Sequence, residues 1–539
     1  MNPGRGVTVV TDTLHALSVL RQAGLVEPTR PLLMARSIIA PRRLGPIAGA
    51  VAMSARRSGS NVAVIDERGS LTYAELEARA NALARAWTDL GVKPGDVVAA
   101  LCRDHRGLID VMVAAGKSGA RLVLLNTGFA KPQLADVATR EGVRLLVADE
   151  EFVDLLSAVG EDVITVIGWS DGGDPTRPTL DALIDAYDSA PVPAPPSQGG
   201  MVLLTGGTTG TPKGAPRQIS NSLVAAQFLE RVPQRRGDVV VVAAPIFHGT
   251  GLSQFIMALV LGSTTVLRRR FDPEAVIRDV ADNRGTVLVV VPTMLQRILA
   301  LGDETLSTLD TSSLRIIMTA GAALPPDLGD RVTEAFGPVV HNLYGCTEVA
   351  LATVAMPEDW AIAPGTVGRA PRGISVKLFD DEDQEITSPG TSGRIFVNNG
   401  LTFEGYTGGG TKPVIGAHMG TGDTGHWDEH GLLFVDGRDD DMIVSGGENV
   451  FPAEIEALVE AMPGIEDVAT MPVDDADFGT RLRLFVVAGD GAPSESEIKD
   501  HIRANLARFK VPRDVLFVDE IPHTAVGKVD RRGLSALAT

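Results

Sequence analysis

Four short apolar runs, Met201–Leu204, Val239–Val242, Thr286–Val291 and Leu314–Thr319, constrain the fold more than any other feature of this chain. Each ends in a turn rich in Gly, Pro or His, and helical patterns separate them. Such runs alternating with helices read as parallel strands buried on both faces. Val97–Leu101 and Leu122–Leu125 repeat the pattern upstream. The expected class is α/β, with ligands bound at the carboxyl ends of the strands, where the turns lie.

The 539 residues leave room for two to four domains. A helix is expected over Leu71–Leu90, with Thr72 three residues before Glu75 as a capping box and Gly91 as its stop. Leu14, Leu17, Val19 and Leu20 mark a shorter helix from Thr11 to Leu25, with Gly24 near its end. Pro28, Pro31, Pro41 and Pro46 are expected to break the rest of this leader into short pieces. The strongest linker is APVPAPPSQGG at 190–200. Leu252–Val260 is apolar enough either to line a ligand pocket or to be a core helix.

Composition excludes several classes. Cys102 and Cys346 are far apart and form no CxxC pair, which argues against a disulfide scaffold or a cysteine-built zinc site and for a reducing, cytoplasmic setting. No apolar run reaches the roughly 18–20 residues of a membrane span, and the N-terminus lacks a signal-peptide pattern. A net charge of −19 argues against a general nucleic-acid binder. Residues 1–57 nevertheless hold eight arginines against Asp12 and Glu27. This basic N-terminal extension, taken as residues 1–60, reads as helices packed on the body, or as a peripheral contact with an anionic membrane surface.

The most informative stretch is Leu203–Pro216, LLTGGTTGTPKGAP. Gly206, Gly207 and Gly210 let backbone N–H groups converge on an anion, Thr205, Thr208, Thr209 and Thr211 add hydroxyls, and Lys213 adds a mobile charge. These are the parts of a phosphate-gripping loop. It is not a P-loop, because Lys213 follows Pro212 and precedes Gly214. Gly420–Gly425 spells a dinucleotide fingerprint, but no strong strand precedes it and a turn follows. His426 and His430 sit in a polar turn and read as solvated rather than metal-bound, and no G-x-S-x-G occurs.

With this loop the chain resembles the acyl-adenylate-forming superfamily of acyl-CoA synthetases, peptide-synthetase adenylation domains and beetle luciferases. Leu71–Leu76 is similar to its early helix motif, Pro245–His248 to its aromatic gate, and Ala320–Leu324 to its adenine-binding turn. Tyr344-Gly345-Cys346-Thr347-Glu348 matches Y-G-x-T-E. Thr421-Gly422-Asp423, Gly437-Arg438, Ser445–Asn449 and Gly527-Lys528 follow in the family's order. The resemblance implies a large N-terminal domain of stacked α/β sheets plus a distorted β-barrel, residues 61–437. A small mobile α+β C-terminal domain, 438–539, would follow it.

It also implies roles. The 205–213 loop would hold the β- and γ-phosphates of ATP, Thr347 the α-phosphate, and Glu348 a Mg²⁺ ion. Gly321, Ala322 and Ala323 would border the adenine, with Tyr344 stacked on it beside Gly345. Asp423 would accept the ribose hydroxyls, supported by Arg438. Lys528 would bridge the carboxylate and the α-phosphate. His248 would shield the carboxyl site, Asp440 would be the hinge, and Gly446 and Gly447 would line the coenzyme A tunnel. Gly206, Ala323, Gly420 and His523 depart from the family's usual residues.

The gate segment Phe247–Gly251 holds no acid for a substrate ammonium, so an amino acid is not expected. A medium- or long-chain fatty acid, ligated to CoA, is the expected substrate. An aryl or other carboxylate–CoA ligase, an acyl-AMP ligase serving a carrier protein, and a non-catalytic nucleotide-binding regulator are the alternatives.

Overall fold

The computed structural model describes residues 3–26, 31–172, 176–205, 213–217, 223–399, 405, 411–438, 442–475, 478–489, 491–522, 529 and 531–537, with backbone alone at 3–12, 31–42, 205, 213–217, 223–224 and 531–532. Two helices open it, α1 (Pro3–Gln22) and α2 (Pro31–Ser58), the second broken at Gly45, whose φ is 79°. The leader is thus more helical than its prolines imply. Pro31 and Pro46 each begin a helical piece, where a missing N–H has no partner to lose. Next come α3 (Tyr73–Asp89) and α4 (Arg106–Ser118). The capping box of α3 forms as expected: Thr72 Oγ1 accepts from the Glu75 N–H at 3.2 Å, and Glu75 Oε2 from the Thr72 N–H at 2.7 Å. Helices α5 (Leu223–Arg231) and α6 (Gly249–Leu261) follow the phosphate-loop segment.

One sheet has six strands in the order Ile164–Ile167, Val143–Ala148, Val97–Leu101, Arg121–Leu124, Met201–Thr205 and Lys213–Arg217. All its neighbours are parallel except the last pair. The second sheet has eight strands. At its centre β1 (Val239–Val242), β2 (Val287–Val290), β3 (Ile316–Thr319) and β4 (Val340–Tyr344) are parallel neighbours in that order. Every residue of β2 and β3 is buried, because helices cover both faces, and each apolar side chain so placed contributes about 1.5–3 kcal/mol.

A third, antiparallel sheet contains β5 (His418–Trp427) between Gly393–Asn398 and β6 (Leu433–Arg438), with a register shift at Thr424/Gly425. The hairpin of β7 (Ile443–Ser445) and β8 (Glu448–Val450) leads into a small α+β unit. There the strands Ile465–Asp475, Gly479–Ala488 and Asp514–Val518 pack against helices Pro452–Glu460 and Glu495–Asn505. A large N-terminal domain and a small C-terminal one are therefore both present. Among the described residues no helix is long and apolar enough to cross a membrane.

Candidate active site

The carboxyl ends of β1 to β4 open into one cavity of about 2160 Å³. Ordinary small-molecule pockets hold roughly 300–1,000 Å³, so this one has room for more than one ligand. The turn after β1 contributes His248, the turn after β2 Pro292 and Thr293, and the turn after β3 Gly321, Ala322 and Ala323. Strand β4 ends in Tyr344, Gly345, Thr347 and Glu348 on the same cavity, with Glu348 only 8 % exposed. Gly345 has a steric reason. A Cβ there would lie 2.2 Å from the Ala350 carbonyl oxygen, because the chain turns back on itself immediately after Glu348.

The third sheet supplies the opposite wall. Asp423 on β5 and Arg438 on β6 are cross-strand partners, and Arg438 Nη1 donates to Asp423 Oδ1 at 2.7 Å. Tyr344 Oη donates to Asp423 Oδ2 at 2.6 Å and lies 3.0 Å from Thr421 Oγ1. The Tyr344 side chain is thus fixed through its hydroxyl, a contact that the adenine-stacking expectation does not contain. Burial and the adjacent Asp423 carboxylate push the phenol well above its ordinary pKa, so it remains a donor. Burial, with Glu348 nearby, pushes the Cys346 thiol up to about 12, which keeps it from acting as a nucleophile.

His248 caps the start of α6 with its backbone and leaves its ring free to turn toward the C-terminal hairpin. Its Nε2 lies 2.8 Å from Glu448 Oε1, and Asn126 Nδ2 donates to both Glu448 oxygens at 3.3 and 3.2 Å. Burial works against a charged ring here, but the Glu448 carboxylate outweighs it and raises the His248 pKa. For Glu448 burial is likewise overcome, by His248, Asn126 and Lys510, and its pKa is lowered. Beneath the turn, both oxygens of buried Asp104 lie 3.2 Å from the Ile246 amide nitrogen, which donates to them. Burial raises the Asp104 pKa to about 7.

Gly446 and Gly447 line the cavity from the turn between β7 and β8. An added Cβ at Gly446 would come within 3.1 Å of the Phe478 ring, and one at Gly447 within 3.6 Å of Val291. The C-terminal unit is also held at the far side, where the Arg508 N–H donates to the Gly128 carbonyl at 3.1 Å.

Helix α6 answers the question its sequence leaves open, since it does both jobs. Leu252, Phe255, Ala258 and Leu259 are buried in the core, while Ser253, Ile256, Met257 and Val260 form a stripe along the cavity.

Thr205 and Lys213 face each other in antiparallel register at the ends of their strands, so the loop between them is closed by a hairpin. Gly206, Gly207, Thr208, Thr209, Gly210, Asp440 and Lys528, with the side chains of Thr205 and Lys213, lie outside the described residues. Glu448, Asn126 and Asp104 have no counterpart among the expected site residues. The available signals were the position of Glu448 inside the Ser445–Asn449 motif and that of Asn126 just past a strand's carboxyl end. Cys102, His105 and Asp149 also cluster, within 4.8 Å, away from the cavity lining. Both His105 nitrogens are already engaged, Nε2 with Asp149 at 2.8 Å and Nδ1 with the Gly107 N–H at 3.0 Å, so the cluster reads as a helix cap.

A nucleotide-sized opening over a parallel sheet, an Asp–Arg pair on one wall and a hairpin leading into the C-terminal domain on the other define an adenylate-forming enzyme. The chain belongs to the AMP-binding enzyme family, which matches residues 51–407, with the family's C-terminal domain at 454–528. It is 33 % identical to a 2-succinylbenzoate–CoA ligase of Geobacillus kaustophilus, over 88 % of this chain and 95 % of the relative. A feruloyl-CoA synthase of an Amycolatopsis species is 32 % identical over the same shares. Among solved structures, the o-succinylbenzoate CoA synthetase of Bacillus subtilis is 25 % identical. A double mutant of it bound to a product analogue superposes with a TM-score of 0.79, covering 90 % of this chain and 98 % of its own. The same enzyme with its acyl-adenylate intermediate gives 0.65, covering 90 % and 97 %. The arrangement here is therefore closer to the product-analogue form. The activity supported is AMP-forming ligation of a carboxylic acid to CoA, with ATP, Mg²⁺ and CoA as the cofactor set.

Proposed function

We propose that this chain activates an apolar monocarboxylic acid, a medium- or long-chain fatty acid in preference to a compact aromatic one, as its adenylate and then as its CoA thioester. The observation that carries this reading is the α6 stripe. Ser253, Ile256, Met257 and Val260 lead away from His248 with no charged group among them. The relatives named above act on aromatic acids, and an aryl acid seated in the near part of the same cavity is the second reading.

An acid hydroxyl is a poor leaving group, and joining the carboxylate to AMP brings two anions together. The 205–213 loop would meet the triphosphate with backbone N–H groups, threonine hydroxyls and Lys213, and Lys528 would stabilise the charge that grows at the α-phosphate. Thr347 and the buried carboxylate of Glu348 form an oxygen set suited to Mg²⁺, which when bound neutralises phosphate charge. Asp423, fixed by Arg438 and Tyr344, would orient the ribose. A swing of the C-terminal domain about Asp440 would then exchange Lys528 for the Gly446–Gly447 turn, and its seating would be fixed by the His248–Glu448 contact.

Pyrophosphate release with fatty and aryl acids, with and without CoA, tests the reading. CoA-ester formation with aliphatic acids supports it, and release without any CoA ester favours a carrier-protein acceptor. Aryl acids alone as substrates favour the second reading. No release with any acid removes the enzyme assignment.

A further inference from the structure

We infer that α1 and α2 close the far end of the acid cavity and set the length of aliphatic tail it accepts, a deepening that rests on the CoA-ligase reading above. From Gly249 to Val260 the α6 stripe runs about 16 Å at ~1.5 Å per residue, away from the nucleotide and toward α2. Beyond it the same cavity continues between elements that play no part in the chemistry. Leu20 of α1, with Leu25 just after it and Leu17, which is 44 % exposed, line it from one side, and Leu44, Ile47 and Met53 of α2 from another. Ala225 and Phe228 of α5 and Met112 and Ala115 of α4 complete the walls. Arg57 of α2 also lines this part, with its Nη2 turned to the Gly24 carbonyl, but the remaining apolar surface suits a hydrocarbon tail, and a single-ring acid would leave its outer part unfilled.

This wall is built rather than incidental. A Cβ at Gly116 of α4 would lie 2.6 Å from the Leu44 carbonyl, so α2 is seated backbone-to-helix on α4. The end of α1 is tied to the body by the Arg236 N–H donating to the Ala23 carbonyl at 2.9 Å, and by Arg57 Nη2 donating to the Gly24 carbonyl at 3.4 Å. His15 Nε2 also lies 3.5 Å from Glu230 Oε1 of α5. The family match begins at residue 51, so α1 and most of α2 lie outside the matched span, while Leu17, Leu20, Leu44, Ile47 and Met53 of these helices line the acid cavity. Each methylene buried along such a wall strengthens binding about fourfold, so the end of the cavity is read as a chain-length limit.

The test is the ratio of kcat/KM for hexadecanoate to that for octanoate, measured on the full chain by CoA-dependent pyrophosphate release. In Leu17→Trp and Leu44→Trp, two separate ways of filling the far end, the ratio should fall by about tenfold or more. Leu14→Trp, on α1 but outside the cavity lining, should keep the parent's ratio. An unchanged ratio in both filling variants, each melting close to the parent, overturns the inference. So does a parent that ligates aromatic acids and nothing longer than octanoate, an outcome that leaves the CoA-ligase reading standing. If no acid releases pyrophosphate, the enzyme reading fails and direct binding of labelled hexadecanoate decides the inference. Binding weakened by Leu17→Trp supports it, and binding that is absent or unchanged overturns it.

Discussion

The imidazole of His248 and the carboxylate of Glu448, 200 residues apart in sequence, meet at 2.8 Å across the junction of the two domains. The contact joins the first residue before α6 to the first residue of β8. It therefore ties the start of the acid-binding stripe to the hairpin that carries Gly446 and Gly447. Asn126 Nδ2 donates to both oxygens of the same carboxylate, which helps hold Glu448 toward His248.

Glu448→Gln should slow thioester formation from supplied acyl-adenylate by about ten- to a hundredfold, since a misplaced group costs that much, and should affect pyrophosphate release far less. The pH behaviour carries a sign. The His248 pKa is raised and that of Glu448 lowered, so the pair is charged in the window between them. Its stabilising effect is lost as pH rises through the His248 value, and again as pH falls through that of Glu448. In the parent, the His248 ring should titrate above about 6.5 by NMR, and in Glu448→Gln the midpoint should move down.

Lys528→Ala should lower pyrophosphate release by about a hundredfold or more, the usual cost of removing a charge-stabilising donor. Thioester formation from supplied acyl-adenylate should persist, because the proposed domain swing would remove this lysine before that step. Equal loss of both half-reactions would contradict the two-step use of one site.

The order of motifs and the strand ends were legible because each depends on a few consecutive residues. Tyr344 to Glu348 and Gly321 to Ala323 are turns whose side chains face the cavity as soon as their strands are parallel and buried. The contacts that were not legible depend on tertiary register. Tyr344 reaches Asp423 only because β5 presents Thr421 and Asp423 on the side facing β4. His248 reaches Glu448 only in one arrangement of the two domains. Helix α6 was ambiguous because a core helix and a pocket wall need the same apolar residues. The leader's prolines suggest breaks from the sequence, yet Pro31 and Pro46 each begin a helical piece.

Asp104→Asn should flatten the dependence of thermal stability on pH between about 4 and 7. The folded protein holds the Asp104 proton up to about 7. The unfolded chain releases it near the ordinary value of about 3.9, so the parent loses stability as pH rises through that interval. The amide oxygen of asparagine can still accept from the Ile246 N–H and carries no charge to bury. Calorimetric melts at pH 5 and pH 7.5 read the difference, and a parent and variant with the same slope would refute it.

Tyr344→Phe separates two roles of one side chain. If the ring alone matters, phenylalanine stacks on adenine as well as tyrosine does, and ATP affinity is unchanged. The 2.6 Å bond from Tyr344 Oη to Asp423 Oδ2 predicts otherwise. Hydrogen bonds to a charged partner are worth about 1.5–3 kcal/mol, and without this one the Asp423 carboxylate is held by Arg438 on its other oxygen. ATP should bind about tenfold more weakly by calorimetry, a change of about 1.4 kcal/mol. Nucleotides lacking the ribose 2′-hydroxyl should lose much less between parent and variant, because the misplaced carboxylate is the group proposed to read that hydroxyl.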